Sequence, residues 1–266
     1  MRLVSYEGGF GRVENNHVVP LGPSLVEYLR TGHTEEGEPI TVASVRLLAP
    51  VLSPEKVVCI GLNYEDHAAE QGVPIPDEPV LFAKFANSVI GPSEEIQVPA
   101  AAAKIDYEAE LGVVIGTVCR AVSGAEALSH VAGYMCMNDV SARDLQFSSS
   151  QWTRGKAIDT FLPTGPYLTT PDEIDDPQSL GIRCLIGDEV MQDSSTSKMI
   201  FSVAELISFV SQTLTLVPGD LIATGTPAGV GFAREPSRYL KDGDEVSVEI
   251  DGLGRLTNRV GKRGAG

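Results

Sequence analysis

Asp106-Tyr107-Glu108-Ala109-Glu110-Leu111 runs directly into Gly112-Val113-Val114-Ile115. Side chains alternate faces along a strand, so Asp106, Glu108 and Glu110 share one face while Tyr107, Ala109 and Leu111 pack on the other. Three carboxylates on one face repel one another. A strand that continues into an apolar run is a poor candidate for an exposed edge, so a bound cation is an economical way to neutralise that face. A solvated acidic strand end is the alternative, and an ExE by itself does not choose between them.

Downstream, an apolar strand over 134–137 delivers Asn138 and Asp139 at its C-terminal end, and Arg143 and Gln146 follow three residues apart, facing one way if that turn is helical. Gln151-Trp152-Thr153-Arg154-Gly155-Lys156 closes this charged region and holds the single tryptophan. Upstream, a buried-strand signal over 57–60 ends in Gly61-Leu62-Asn63-Tyr64, with Asn63 as the expected N-cap of a helical turn over 65–70 stopped by Gly72 and Pro74. His67 and Glu70 are neighbours on that turn, close enough for the carboxylate to orient the imidazole; a surface His-Glu pair is the other reading of the spacing. The proline-rich 73–79 segment suits a hinged lid.

The first fifty residues read as a small separate α/β unit, with strands over 3–6 and 17–19, a helix over 24–30 and surface histidines at His17 and His33. Pro50 and Ser53-Pro54 place the boundary, giving domains 1–50 and 51–266. Capping boxes at Ser123/Glu126 and Ser202/Glu205 open two helices, the first with Leu128 and Val131 inward, the second with Leu206, Ile207 and Val210 inward. A hairpin turns at Gly187-Asp188, and a strand over 221–224 ends in the glycine-rich 225–231, which lacks the lysine of a P-loop. Many strands, few helices and no βαβ alternation predict a mixed α+β, β-rich fold.

Twenty Lys+Arg stand against 36 Asp+Glu, a formal net charge of −16. That argues against nucleic acid and anionic membranes as partners, since both need a basic footprint. With no apolar leader and no run of membrane-spanning length, a cytoplasmic protein is expected. Cys59, Cys119, Cys136 and Cys184 form no CxxC pair and are expected as buried, reduced thiols.

Five blocks together, 61–70 (GLNYEDHAAE), 106–111 (DYEAEL), 138–146 (NDVSARDLQ), 151–156 (QWTRGK) and 218–231 (PGDLIATGTPAGVG), resemble the fumarylacetoacetate hydrolase family, in family order and across roughly residues 54 to 260. The resemblance implies a mixed β-sandwich roll behind a small N-terminal domain, and a homodimer. It implies that Glu108, Glu110 and Asp139 hold a divalent metal, that Lys156, Arg143 and Gln146 surround the substrate, that Thr226 helps hold its carboxylate, and that His67 with Glu70 sits on a mobile lid. A first shell of three carboxylates without Cys or His suits Mg²⁺ or Mn²⁺. The partner implied is a small anionic keto acid, and Lys156 and Arg143 supply the local positive charge that the composition lacks.

The leading expectation is a metal-dependent hydrolase that cleaves the C–C bond of an acylpyruvate-type 2,4-diketo acid through a metal-stabilised enolate, with His67 and Glu70 activating water. Decarboxylation of an oxaloacetate-like acid and isomerisation of 2-hydroxyhepta-2,4-diene-1,7-dioate share that enolate. A non-catalytic dicarboxylate-binding protein is the reading from another class, and retention of both His67 and Lys156 counts against it.

Overall fold

In the computed structural model, which describes residues 1–262, the strand Ala109–Ile115 lies near the middle of the larger of two main sheets and is buried along its whole length. Its two faces enter different cores. Leu111, Val113 and Ile115 join one apolar cluster and Val114 the other, as period two requires. The neighbouring Val131–Asn138 repeats this, with Tyr134 and Cys136 on the first side and Met135 and Met137 on the second. Gly112 is glycine because Met137 fills its place: a Cβ there would lie 2.6 Å from the methionine side chain.

The large sheet runs in the order Ile40–Thr41, His17–Gly22, Gly9–Glu14, Arg2–Tyr6, Leu162–Thr169, Val131–Asn138, Ala109–Ile115, Leu221–Ala223, Val57–Gly61, Val80–Lys84. A five-stranded sheet, Glu189–Ser195, Gly181–Ile186, Glu245–Ile250, Gly254–Lys262 and Ile96–Val98, packs against one face. The helix Val203–Ser211 adds Leu206, Ile207 and Val210 to that core. The fold is mixed α+β and rich in strands. Among the described residues no helix is long and apolar enough to cross a membrane, and all four cysteines are buried and free.

Hydrogen bonding crosses the expected boundary at residue 50, because Arg2–Tyr6 pairs antiparallel with Leu162–Thr169. Leu3, Phe10, Leu21 and Leu25 share a core with Val57, Met135 and Leu168. The final four residues of the expected 51–266 unit lie outside the described residues.

Three local expectations need correction. The strand of the acidic motif is interrupted: Ile105–Asp106 pairs with Ser141–Ala142, and the long strand begins only at Ala109. Asp106 therefore leaves the face shared by Glu108 and Glu110. Asn63 is not the cap of Glu65–Gln71, where Tyr64 stands without a side-chain cap bond. The Asn63 amide instead bridges Thr224 O and both backbone groups of Phe201, more bonds than a cap supplies. Leu128 points outward at 40% exposure, since the capped helix ends at Ala127 and Val131 already belongs to a strand.

Sheet polarity places the site. Leu221–Ala223 runs parallel to Val57–Gly61 and antiparallel to Ala109–Ile115, which is antiparallel to Val131–Asn138. Three strands therefore end, and one begins, at the same edge. The loops after Gly61, Asn138 and Ala223 converge there on Glu108 and Glu110.

Candidate active site

Asn138 pairs with Ala109 across the ladder, its Oδ1 accepts from Glu108 N at 3.1 Å, and Asp139 N donates to Glu108 O at 2.9 Å. These bonds fix Asp139 beside the acidic strand. Carboxylate oxygens of Glu108, Glu110 and Asp139 all lie within 4.8 Å of one another, and all three residues are buried. Glu110 Oε2 accepts from Gly225 N at 2.9 Å.

Positive charge surrounds the triad. Lys156 Nζ lies 2.7 Å from both Glu108 Oε2 and Asp139 Oδ2, and Arg143 Nη2 lies 2.6 Å from Glu108 Oε1. Lys84, which sequence reasoning passed over, is fully buried, pairs with Asp139 Oδ1 and donates to Val140 O at 2.9 Å. The available signal was its place at the end of the 80–84 strand, two residues beyond Phe82 on the same face. Burial alone raises the Glu108 carboxyl, but Lys156 and Arg143 outweigh it and hold it well below the usual carboxylate range. Glu110 goes the other way: burial, then Asp139 and Glu108, push its carboxyl well above that range. Burial pulls the Lys84 ammonium down, whereas Asp139 and Glu108 overcome burial at Lys156 and raise it.

A cavity of about 250 Å³ opens over the triad, lined by His67, Glu108, Glu110, Arg143, Gln146, Lys156 and Thr226 among the expected residues. Glu70 and Asp139 stand behind this lining, reached through His67 and Lys156. Phe82, Phe147, Trp152 and Phe232 form its apolar walls. Gly61 passes beneath Trp152 so closely that a Cβ would meet the indole at 2.6 Å.

His67 Nδ1 is 2.7 Å from Glu70 Oε1, and its Nε2 is 2.7 Å from Gln71 Nε2. This pattern fits a proton on Nδ1 donated to Glu70, with Nε2 accepting from the Gln71 amide. Gln71, four residues from His67 on one helical face, was another readable and unread signal. The helix docks onto the glycine-rich loop, where Gly229 N donates to Glu70 Oε2 at 2.9 Å, and onto the strand Glu189–Ser195, where Asp66 accepts from Ser194 Oγ at 2.6 Å. Residues 73–79 form neither helix nor strand and are mostly exposed. Gln146 Oε1 accepts from Arg143 Nη1 at 2.9 Å, leaving its amide N–H groups for a ligand. Thr226 donates its hydroxyl proton to Ala109 O at 2.9 Å and accepts from Gln192 Nε2 at 2.8 Å. It can offer a ligand its position but not that proton. Gln192 sits on a distant strand and carried no local signal.

Three clustered carboxylates with no thiolate or imidazole among them form a hard, all-oxygen donor set. Burial first, then the neighbouring Asp139 and Glu108, push the Glu110 carboxyl up, and it has no ion-pair partner among the described residues. A divalent cation fits both observations.

A β-rich α+β scaffold carries a buried carboxylate triad, able to hold a metal ion, under a small cavity. The family model for the fumarylacetoacetate (FAA) hydrolase C-terminal region matches residues 56–261, and the chain belongs to the fumarylacetoacetate hydrolase family of enzymes. It is 45% identical over 271 residues to the Bos taurus protein named oxaloacetate tautomerase FAHD2A, mitochondrial, covering 97% of this chain and 86% of that protein. Among solved structures it resembles the 2-hydroxyhepta-2,4-diene-1,7-dioate isomerase of Mycobacterium marinum, with TM-score 0.86, 39% identity and full coverage of both chains. It also resembles the fumarylacetoacetate hydrolase of Exiguobacterium antarcticum, with TM-score 0.89, 38% identity and coverage of 99% and 100%.

Proposed function

We propose that the protein moves a proton on a small 2-oxo acid, as a keto–enol tautomerase or isomerase, with Mg²⁺ or Mn²⁺ held by Glu108, Glu110 and Asp139. The observation that carries this reading is the convergence of the triad, Lys156, Arg143 and the His67–Glu70 pair on one 250 Å³ cavity. The names of the relatives at 45% and 39% identity, a tautomerase and an isomerase, support a proton shift over bond cleavage.

When bound, the divalent ion supplies an electron sink for charge developing on the substrate oxygens. Asp106, Glu108, Glu110 and Asp139 outnumber Lys84, Lys156 and Arg143 by one charge, so a dication leaves the pocket one charge positive and receptive to an anion. Arg143 and Gln146 orient the substrate carboxylate. Lys156 stabilises the enolate oxygen, and its raised pKa keeps it cationic. His67 Nε2 exchanges the proton at carbon once Gln71 turns away, while Glu70 holds the ring and stabilises its protonated form.

Hydrolysis of an acylpyruvate-type 2,4-diketo acid stands second, favoured by the same His67–Glu70 pair, which faces a cavity with room for water. Purified protein with Mg²⁺ separates the two. Faster loss of the enol absorbance of oxaloacetate without release of pyruvate is the expected result, and His67→Ala should slow it by about 10² to 10⁴. Pyruvate from acetylpyruvate, with no effect on oxaloacetate enol, would reverse the order. A homodimer belongs to the same proposal; the edge strand Val80–Lys84 supports it, with Val80, Leu81 and the adjoining Phe85 exposed at 38, 38 and 54%.

A further inference from the structure

Asp106 has no place among the metal-competent carboxylates, yet it is fully buried and accepts four N–H groups. Tyr107 N and Gly231 N donate to Oδ1 at 2.9 and 2.7 Å, and Arg143 Nε and Phe232 N donate to Oδ2 at 2.8 and 3.0 Å. The approach of Gly231 is possible only for glycine, since a Cβ would lie 2.0 Å from Arg238 O and 2.6 Å from the carboxylate. Arg143 is thereby held on three sides. Asp106 takes Nε, Gln146 takes Nη1, and the Phe232 ring lies 4.5 Å beneath the guanidinium carbon. Its Nη2 is buried at the cavity wall and ion-paired with Glu108 Oε1 at 2.6 Å, but makes no aligned hydrogen bond.

We propose that Asp106 is a positioning residue that fixes the Arg143 guanidinium so that Nη2 is presented to the carboxylate of a 2-oxo acid. This rests on the function proposed above. The same clasp pins residues 231–232, and the loop they end also holds Glu110 through Gly225 N and Glu70 through Gly229 N. Asp106 therefore keeps Arg143 in register with the triad and with His67. Arginine needs such a clasp because its planar fork recognises a carboxylate only when correctly oriented.

Asp106→Asn is nearly isosteric but turns an amide N–H toward N–H donors. Calorimetry with oxalate, whose two adjacent carboxylates mimic the enolate of a 2-oxo acid, should show roughly 10- to 100-fold weaker binding to the Mn²⁺-loaded variant, the usual cost of losing a charged hydrogen bond. Mn²⁺ affinity should stay within a few-fold of wild type, and KM should rise more than kcat falls. In an Arg143→Lys background Asp106→Asn should cost far less than it does in the wild type; equal losses in both backgrounds would show that Asp106 acts on its own account and overturn the proposal. Wild-type protein gives a second reading should the variant not fold. Its Arg143 Nε–H, assigned by loss of the signal in Arg143→Lys, should be protected from solvent exchange, and free exchange would overturn the proposal. Oxalate binding that Asp106→Asn leaves untouched refutes this inference alone, whereas a wild-type protein that binds neither Mn²⁺ nor oxalate refutes the proposed function with it.

Discussion

At the residue scale, Glu110 is the most informative side chain. It makes no ion pair among the described residues, and its carboxyl is pushed up by burial and by two neighbouring carboxylates. A carboxyl raised in the folded state contributes stability below its unfolded value of about 4.3, and loses it as pH climbs through the raised folded value. The metal-free protein should therefore become less stable as pH rises through that range. Metal binding requires the carboxylate, so it should release a proton and tighten with pH. Mn²⁺ titrations in buffers of different ionisation enthalpy measure this, and an enthalpy independent of buffer would remove Glu110 from the site. Glu110→Gln should abolish the proton release and weaken Mn²⁺ by roughly 10²-fold or more, since losing a direct ligand costs at least as much as losing a supporting contact. Unchanged affinity would place the ion elsewhere.

At the scale of elements, Val203–Ser211 shows how local sequence and packing divide the work. Ser202 Oγ accepts from Glu205 N, and Glu205 Oε2 accepts from Ser202 N at 2.8 Å, closing the capping box read from Ser-x-x-Glu. Ser202→Ala should cost about 1 kcal/mol, a thermal shift of roughly 2–4 °C for a chain of this size, with Mn²⁺ binding unchanged. A shift below 1 °C would mean the apolar face alone holds the helix. The helix Glu65–Gln71 is the opposite case. Lacking a side-chain cap, it is held by Asp66 and Glu70 bonding to Ser194 and to the glycine-rich loop, which no neighbouring residue could announce.

At the scale of the molecule, the first fifty residues contribute five strands to the large sheet and Leu3, Phe10, Leu21 and Leu25 to a shared core. Deleting residues 1–50 strips those side chains from Val57, Met135 and Leu168 and leaves the Leu162–Thr169 edge unpaired. Each lost large apolar side chain costs about 2–5 kcal/mol. The fragment should unfold at least about 10 °C lower or aggregate. A fragment melting within a few degrees of the full chain would establish 51–266 as an independent folding unit.

Period-two alternation sets Glu108 and Glu110 as neighbours on one face, and capping spacing locates two helices, because both are properties of bonded neighbours. The motif blocks carried the family and its expected site residues. The interruption after Asp106 was invisible to periodicity, since it comes from a short pairing with Ser141–Ala142 and from N–H groups 125 and 126 residues away. Lys84 beneath Asp139, Asn63 clamping Thr224 and Phe201, and Gln192 on Thr226 follow the same logic. A buried polar group bonds whatever the folded chain brings within reach, and only the tertiary structure decides what that is.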